Sequence, residues 1–291
     1  MRKNFITIGA FDGAHRGHKY LIGTLKNLAE LNNMQSALMT FPLPPRAAIS
    51  GQKTNYALTT AKEKFELLSS FGAGKIIKIN FDKIKNLSPQ RFFDILISKY
   101  NMGGILAGED FAFGKDRQGH LAFLREACAK RAIIYAQADF LREKEHKISS
   151  SAIRNELKNG NIPAANNMLG YNYGAQGKVV KGRRLGRTIG FPTANLTIDA
   201  AKIMPRGVFA VKVILNKEIF KGVCNIGLRP TISENALPCV EVNIFDFDRD
   251  IYGNFLKIEF ISKIRGEIKF KSIEHLAAQI TKDVAAAKKL L

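Results

Sequence analysis

The chain has 291 residues, 46% hydrophobic and 24% charged, a length that suits two domains of ordinary size and a composition that excludes intrinsic disorder. Its apolar runs, such as Gly103 to Ala107, are strand-sized and exclude a membrane-spanning helix, and Met1-Arg-Lys leads into Phe5-Ile-Thr-Ile without the long apolar stretch of a signal peptide. The net charge of +20 points to polyanionic ligands, small or polymeric; it forms no tail, with 25 Lys+Arg against 14 Asp+Glu up to residue 172 and 20 against 11 beyond it.

From the N-terminus, short β-rich runs alternate with amphipathic stretches, the pattern of βα units and a parallel sheet. Strands are predicted over Phe5 to Gly9, Ser36 to Phe41, Lys75 to Ile79, Gly104 to Ala107 and Ala132 to Gln137. Helix starts stand between them: Thr60-Ala-Lys-Glu63 has the form of a capping box, and Ser88-Pro89 sets a cap before a proline. Two helices, near Ser150 to Lys158 and Pro163 to Leu169, end this half. After Gly170 the period changes: Gln176 to Lys181, Val208 to Leu215, Glu218 to Ile226, Cys239 to Phe245 and Leu256 to Ile261 read as strands joined by Gly, Asn and Asp turns, which predicts a small antiparallel barrel. A final helix begins at Ser272 and carries Lys288 and Lys289 in its last turn. The expected domains are residues 1–172 and 173–291. Cys128, Cys224 and Cys239 form no CxxC pair and leave one thiol over under any pairing, which implies a reducing, cytoplasmic setting; the scattered histidines do not suggest a zinc site.

The segment Gly9-Ala-Phe-Asp-Gly-Ala-His-Arg-Gly-His18 lies where the first strand gives way to the first helix, a location that presents backbone N–H groups and a helix N-terminus to phosphates. Gly9, Phe11, Asp12 and Gly13 are candidate ATP contacts there. His15 and His18, three apart, can face one phosphate group as donors, or can be ordinary polar residues of a helix start. Ile148-Ser-Ser-Ser-Ala-Ile-Arg154 offers hydroxyls, helix N–H groups and an arginine, with Ser150 and Arg154 as candidates. An HxGH turn after strand one and a late SSSxIR helix start resemble the signatures of HxGH nucleotidyltransferases, which imply a Rossmann-like fold. Leu58 to Leu68 and Gly108-Glu-Asp-Phe-Ala-Phe-Gly-Lys-Asp-Arg-Gln-Gly119 resemble segments of bacterial FAD synthetases. Asp110, Phe111 and Phe113 are thereby candidate flavin contacts, or a strand-end turn with one buried aromatic.

In the second half, Lys181-Gly-Arg-Arg-Leu-Gly186 is glycine-rich and basic and precedes Arg187-Thr-Ile-Gly-Phe-Pro-Thr-Ala-Asn195. Gly182, Arg184, Gly186 and Gly190 can cradle ATP phosphates, and Thr193 and Asn195 supply hard oxygens suited to Mg2+. Four cations in this stretch also fit a nucleic-acid patch. Val240-Glu-Val-Asn-Ile-Phe alternates strictly, so Glu241 and Asn243 share one strand face. The Pro192-Thr-Ala-Asn195 motif is similar to that of riboflavin kinases, a resemblance that implies Glu241 as general base and a six-stranded kinase barrel with a C-terminal helix. Arg265 falls in a further matching segment and is a candidate flavin contact.

Together these segments resemble the bifunctional bacterial riboflavin kinase/FAD synthetases over nearly the whole chain. The resemblance implies ATP, riboflavin and FMN as substrates, FAD as product, Mg2+ as cofactor, and neither a membrane nor a nucleic-acid partner; a weak homo-oligomer is compatible with it. Pro44, Ala152, Asn243, Gly266 and Ile268 depart from frequent family residues. They bear on flavin affinity and rate more than on reaction type. Two competing readings are a nucleotidyltransferase for another phosphorylated acceptor, which leaves the barrel unexplained, and a basic RNA-binding protein, which the absence of Trp and of clustered barrel aromatics disfavours.

Overall fold

A computed structural model describes residues 2–51, 54–143, 146–182, 185–228 and 238–291. By internal packing these form two units, one of residues up to 51 together with 59–150, the other of residues 54–58 together with those from 151 onward.

The first unit runs β1 (Asn4–Gly9), α1 (Arg16–Leu31), β2 (Gln35–Thr40), α2 (Pro45–Ser50), α3 (Ala61–Ser70), β3 (Lys75–Lys78), α4 (Pro89–Tyr100), β4 (Met102–Gly108), α5 (Leu121–Lys130), β5 (Ile134–Ala138) and a short hairpin, β6 (Arg142–Glu143) and β7 (His146–Lys147). The sheet is parallel in the order β3-β2-β1-β4-β5. Helices on both faces explain why β1 and β4 are apolar almost end to end: Phe5, Ile6, Ile105 and Leu106 are all buried. The predicted caps form, with Thr60 and Glu63 bonded reciprocally at 3.2 and 2.9 Å and Ser88 accepting from the Arg91 N–H at 3.2 Å. Strand order reverses between β1 and β4, so the crevice at their C-terminal ends is the switch point where such sheets bind ligands. The turn carrying His15 leaves β1 at that point. The helix α2 and the β6–β7 hairpin were not expected from the sequence.

The second unit contains α6 (Ser150–Asn159), which starts at the unit boundary, then α7 (Ile162–Leu169), β8 (Gly174–Val180), α8 (Leu185–Thr188), β9 (Ala194–Thr197), β10 (Gly207–Leu215), β11 (Glu218–Leu228), β12 (Pro238–Ile244), β13 (Phe255–Arg265) and α9 (Ile273–Leu290). The six strands close into an antiparallel barrel in the order β10-β11-β12-β9-β8-β13. Alternation sorts the side chains: Phe209, Val211 and Val213 of β10 and Val240, Val242 and Ile244 of β12 fill the interior, while Val208, Ala210 and Val223 face outward and pack with Ala287 of α9. The sixth strand, β9, is not apparent from the sequence pattern; it starts in the second half of the Pro192-Thr-Ala-Asn195 motif, runs on to Thr197 and pairs with both β8 and β12.

Candidate functional site

At the end of β1 the chain turns through three left-handed residues, Phe11 (φ 49°), Gly13 (φ 80°) and Ala14 (φ 35°). Two of them are not glycine, a strain that persists only where surrounding contacts fix it. Those contacts are explicit: the Thr59 N–H and hydroxyl both donate to Asp12 Oδ1 at 3.3 Å, the Gly13 N–H donates to Thr59 Oγ1 at 3.2 Å, and the Ser150 hydroxyl donates to the Asp12 carbonyl at 2.8 Å. Phe11 and Asp12 are thus buried beneath the turn, each 2% exposed, and they shape it from below.

His15 and His18 form a capping box. His15 Nδ1 accepts from the His18 N–H at 3.4 Å and His18 Nδ1 accepts from the His15 N–H at 3.3 Å. Because each Nδ1 is an acceptor, each ring carries its proton on Nε2, so the pair is held in the tautomer that presents Nε2–H donors away from the backbone. The rings stack with centroids 3.6 Å apart. Gly17 makes room for them, since a Cβ there would stand 3.1 Å from His15 Nδ1. His18 is held neutral, its pKa well below the ordinary imidazole value through burial first, then the neighbouring His15 and Lys64. Lys64 of α3, which the sequence reading passed over, is 1% exposed and directs its Nζ to the carbonyls of Ala10, at 3.2 Å, and of Phe41.

The remaining first-half candidates are spread. Asp110 pairs with Lys147 at 3.2 Å, and Phe111 is partly buried and stacks on Phe113 at 5.4 Å. Phe113 also packs against Phe92 and Phe123 and belongs to the core. Arg154 falls within the second unit, where its Nε donates to the Tyr56 carbonyl at 3.2 Å.

On the barrel, register collects the second-half candidates into one row across its outer face. Val180 pairs with Asn195, Asn195 with Glu241, Glu241 with Asn225, Asn225 with Val208, and Val208 with Arg265. Glu241 therefore stands between two asparagines, and Asn225 is a neighbour the sequence alone did not single out. Asn195 is 6% exposed, and its buried Oδ1 has no hydrogen-bond partner among the described residues. A lone buried amide oxygen is costly unless something binds it. Gly182 lies directly over this amide, where a Cβ would come within 2.6 Å of Asn195 Cγ. Asn243 donates to the Pro192 carbonyl at 2.8 Å and so anchors the stretch that holds Thr193. The Gly186 carbonyl accepts from the Phe191 N–H at 2.8 Å, and Gly190 closes the turn with φ 81°. Arg184 lies outside the described residues. Arg265 is engaged by α9: Nε and Nη2 reach the buried Asp283 carboxylate at 2.9 and 2.7 Å.

Among the described residues no group of three or more His, Cys, Asp or Glu side chains could hold a metal ion. The oxygen pair Thr193 and Asn195, with an orphaned Oδ1, does fit a hard cation that keeps most of its water.

A family model for FAD synthetase matches residues 1–152, and one for riboflavin kinase matches residues 169–291. The bifunctional riboflavin kinase/FMN adenylyltransferase of Bacillus subtilis is 38% identical over 97% of this chain and 90% of that one. The chain belongs to the bifunctional riboflavin kinase/FMN adenylyltransferase family. Its members of that name from Haemophilus influenzae and Escherichia coli K12 are 38% and 34% identical, each over 97% of this chain and over 92% and 91% of theirs. A crystal structure from Streptococcus pneumoniae, described as a macrolide-efflux protein, superposes with a TM-score of 0.88 at 28% identity, covering 99% of this chain and 95% of that one. Among the described residues of the present family member, no helix is long and apolar enough to cross a membrane.

Proposed function

We propose that this bifunctional enzyme divides its work near residue 172, with residues 1–172 converting FMN and ATP to FAD and pyrophosphate and residues 173–291 phosphorylating riboflavin to FMN. The observation that carries the assignment is the register of Glu241 opposite Asn195, whose amide oxygen has no partner among the described residues.

In the kinase step Glu241 takes the proton from the riboflavin 5′-hydroxyl as that oxygen attacks the ATP γ-phosphorus and ADP departs. Gly182, Gly186 and Gly190 line the phosphate loop, to which the sequence also assigns Arg184, and Thr193 and Asn195 would hold Mg2+. When bound, that ion offsets phosphate charge. Asn243 keeps the Thr193 segment in place through Pro192. Arg265, oriented by Asp283, is assigned to the flavin side of the barrel.

In the adenylyl step a phosphate oxygen of FMN attacks the ATP α-phosphorus in line, and pyrophosphate leaves. No protein nucleophile is needed, because the attacking phosphate is already ionised. His15 and His18 donate from Nε2 to oxygens on which negative charge grows, with Ser150 bracing the turn, while Arg154 is assigned to this step by its sequence motif alone. Gly9, Phe11, Asp12 and Gly13 shape the ATP crevice. Asp110 and Phe111 contact the flavin, and Phe113 supports Phe111 from the core.

Chromatographic separation of flavins after incubation with ATP, Mg2+ and either riboflavin or FMN tests the division. Glu241→Gln is expected to slow FMN formation by about 10²- to 10⁴-fold while leaving FAD formation from FMN intact. His18→Ala is expected to slow FAD formation about 10²-fold and spare the kinase. If either variant lowered both activities equally while remaining folded, the division would be wrong.

A further inference from the structure

Lys64 is a buried charge that the proposed chemistry does not use. It occupies a core position of α3, four residues before the fully buried Leu68, and is 1% exposed. Its ammonium bonds the carbonyls of Ala10, one residue beyond β1, and Phe41, one residue beyond β2. The Ala10 carbonyl also accepts the Thr40 hydroxyl, at 3.2 Å. Among the described residues no carboxylate lies within ion-pairing distance of it. The acid that acts on it, Asp12, already accepts two bonds from Thr59 at 3.3 Å. A buried ammonium satisfied only by neutral carbonyls is a poor way to fill a core position, since an apolar side chain of similar volume is commonly as stable or more so. Its placement at the C-terminal ends of two adjacent parallel strands, behind the histidine turn, gives it another use.

We infer that Lys64 is a positioning residue for adenylyl transfer, clamping the Ala10 and Phe41 carbonyls and holding a fixed positive charge behind the His15–His18 turn that draws the ATP polyphosphate into the crevice. The inference rests on the proposed reading of that turn as the triphosphate site. Burial pulls the Lys64 pKa down to about 8, against the opposing effect of Asp12. The titratable groups around it are Asp12, His15 and His18 from the turn and α1, Glu63 of its own helix and Lys78 of β3, whose Nζ lies 4.4 Å from the centre of the Phe65 ring. Of the shifted groups, Lys64 is the one whose pKa falls near 8. The charge is present below that pH and lost above it.

The test uses the full chain and reads kcat/KM for ATP in FAD formation from FMN between pH 6.5 and 9.5, which reports ionisations of the free enzyme. Lys64→Met is expected to lower this constant about 30-fold or more at pH 7, with riboflavin phosphorylation changed less than twofold. The gap between wild type and variant should close above pH 8 as the wild type loses its charge. A variant with full activity, or a gap that stays constant from pH 7 to 9.5, overturns the inference. If Lys64→Met does not fold, the wild-type profile decides, and a flat curve through pH 9.5 overturns it. His18→Ala in parallel separates the two claims: an impaired His18→Ala beside a normal Lys64→Met sinks the lysine alone, whereas a normal His18→Ala sinks the site.

Discussion

Gly182→Ala probes the kinase site with a single methyl group. The added Cβ would stand 2.6 Å from Asn195 Cγ and 2.8 Å from its Oδ1. Carbon atoms settle at about 3.5 to 4.0 Å, so one side must retreat by roughly 1 Å. The glycine has an ordinary negative or extended φ, so the substitution carries no backbone penalty and its effect comes from this contact. Asn195 is the softer partner, because among the described residues its Oδ1 has no bond to break. A displacement of about 1 Å in a group that positions phosphate costs about 10²-fold in rate, or about 2.7 kcal/mol of transition-state stabilisation. The assay is initial-rate formation of FMN from riboflavin across a Mg2+ titration, with FAD formation from FMN in the same preparation as the internal control. The expected result is a kinase slowed about 10²-fold that needs more Mg2+, beside an unaltered adenylyltransferase. A kinase of normal rate and normal Mg2+ requirement would refute the role given to Asn195.

Acid should weaken the first unit through His18. Its folded pKa lies below the unfolded value of about 6.5, so the stability it contributes is present above that pH and is lost as pH falls towards the folded value, at no more than about 1.4 kcal/mol per pH unit. Melting temperature followed from pH 7.5 to 5 should therefore drop less steeply in His18→Gln than in wild type; parallel curves would contradict it. Asp283→Asn removes the charge that holds Arg265, whose side chain is 17% exposed against 4% for the aspartate. Urea unfolding followed by circular dichroism should register a loss of about 2 to 3 kcal/mol, somewhat under the range for fully buried pairs because Arg265 retains some solvent. A change within about 0.5 kcal/mol would mean the pair is dispensable.

Both chemistries were legible in the sequence where backbone and side-chain demands coincide. The HxGH turn needs Gly17 for imidazole room, and Glu241 declares its face through strict alternation with Val240, Val242 and Ile244. The sixth barrel strand was hidden because Ala194–Thr197 is four residues long and follows a proline turn; it is a strand because β8 and β12 bond it from both sides. Lys64 was hidden by the habit of lysine to face water. Its spacing of four from Leu68 was the available signal. The Arg265–Asp283 pair joins a strand to a helix 18 residues later, a distance no local pattern spans. Phe113 and Phe111 look alike in the chain, yet only packing against Phe92 and Phe123 separates the core ring from the partly open one.

The first helix begins with an imidazole where Ser, Asp or Asn would bind the free N–H more firmly. An engineer optimising α1 for thermal resistance would be led to replace His15; on the proposed role of that ring, the sturdier protein is expected to lose FAD formation. Robustness and turnover would compete here for the same side chain, the cap through Nδ1 and the phosphate contact through Nε2, so relatives from hot habitats are expected to gain their resistance elsewhere in the chain.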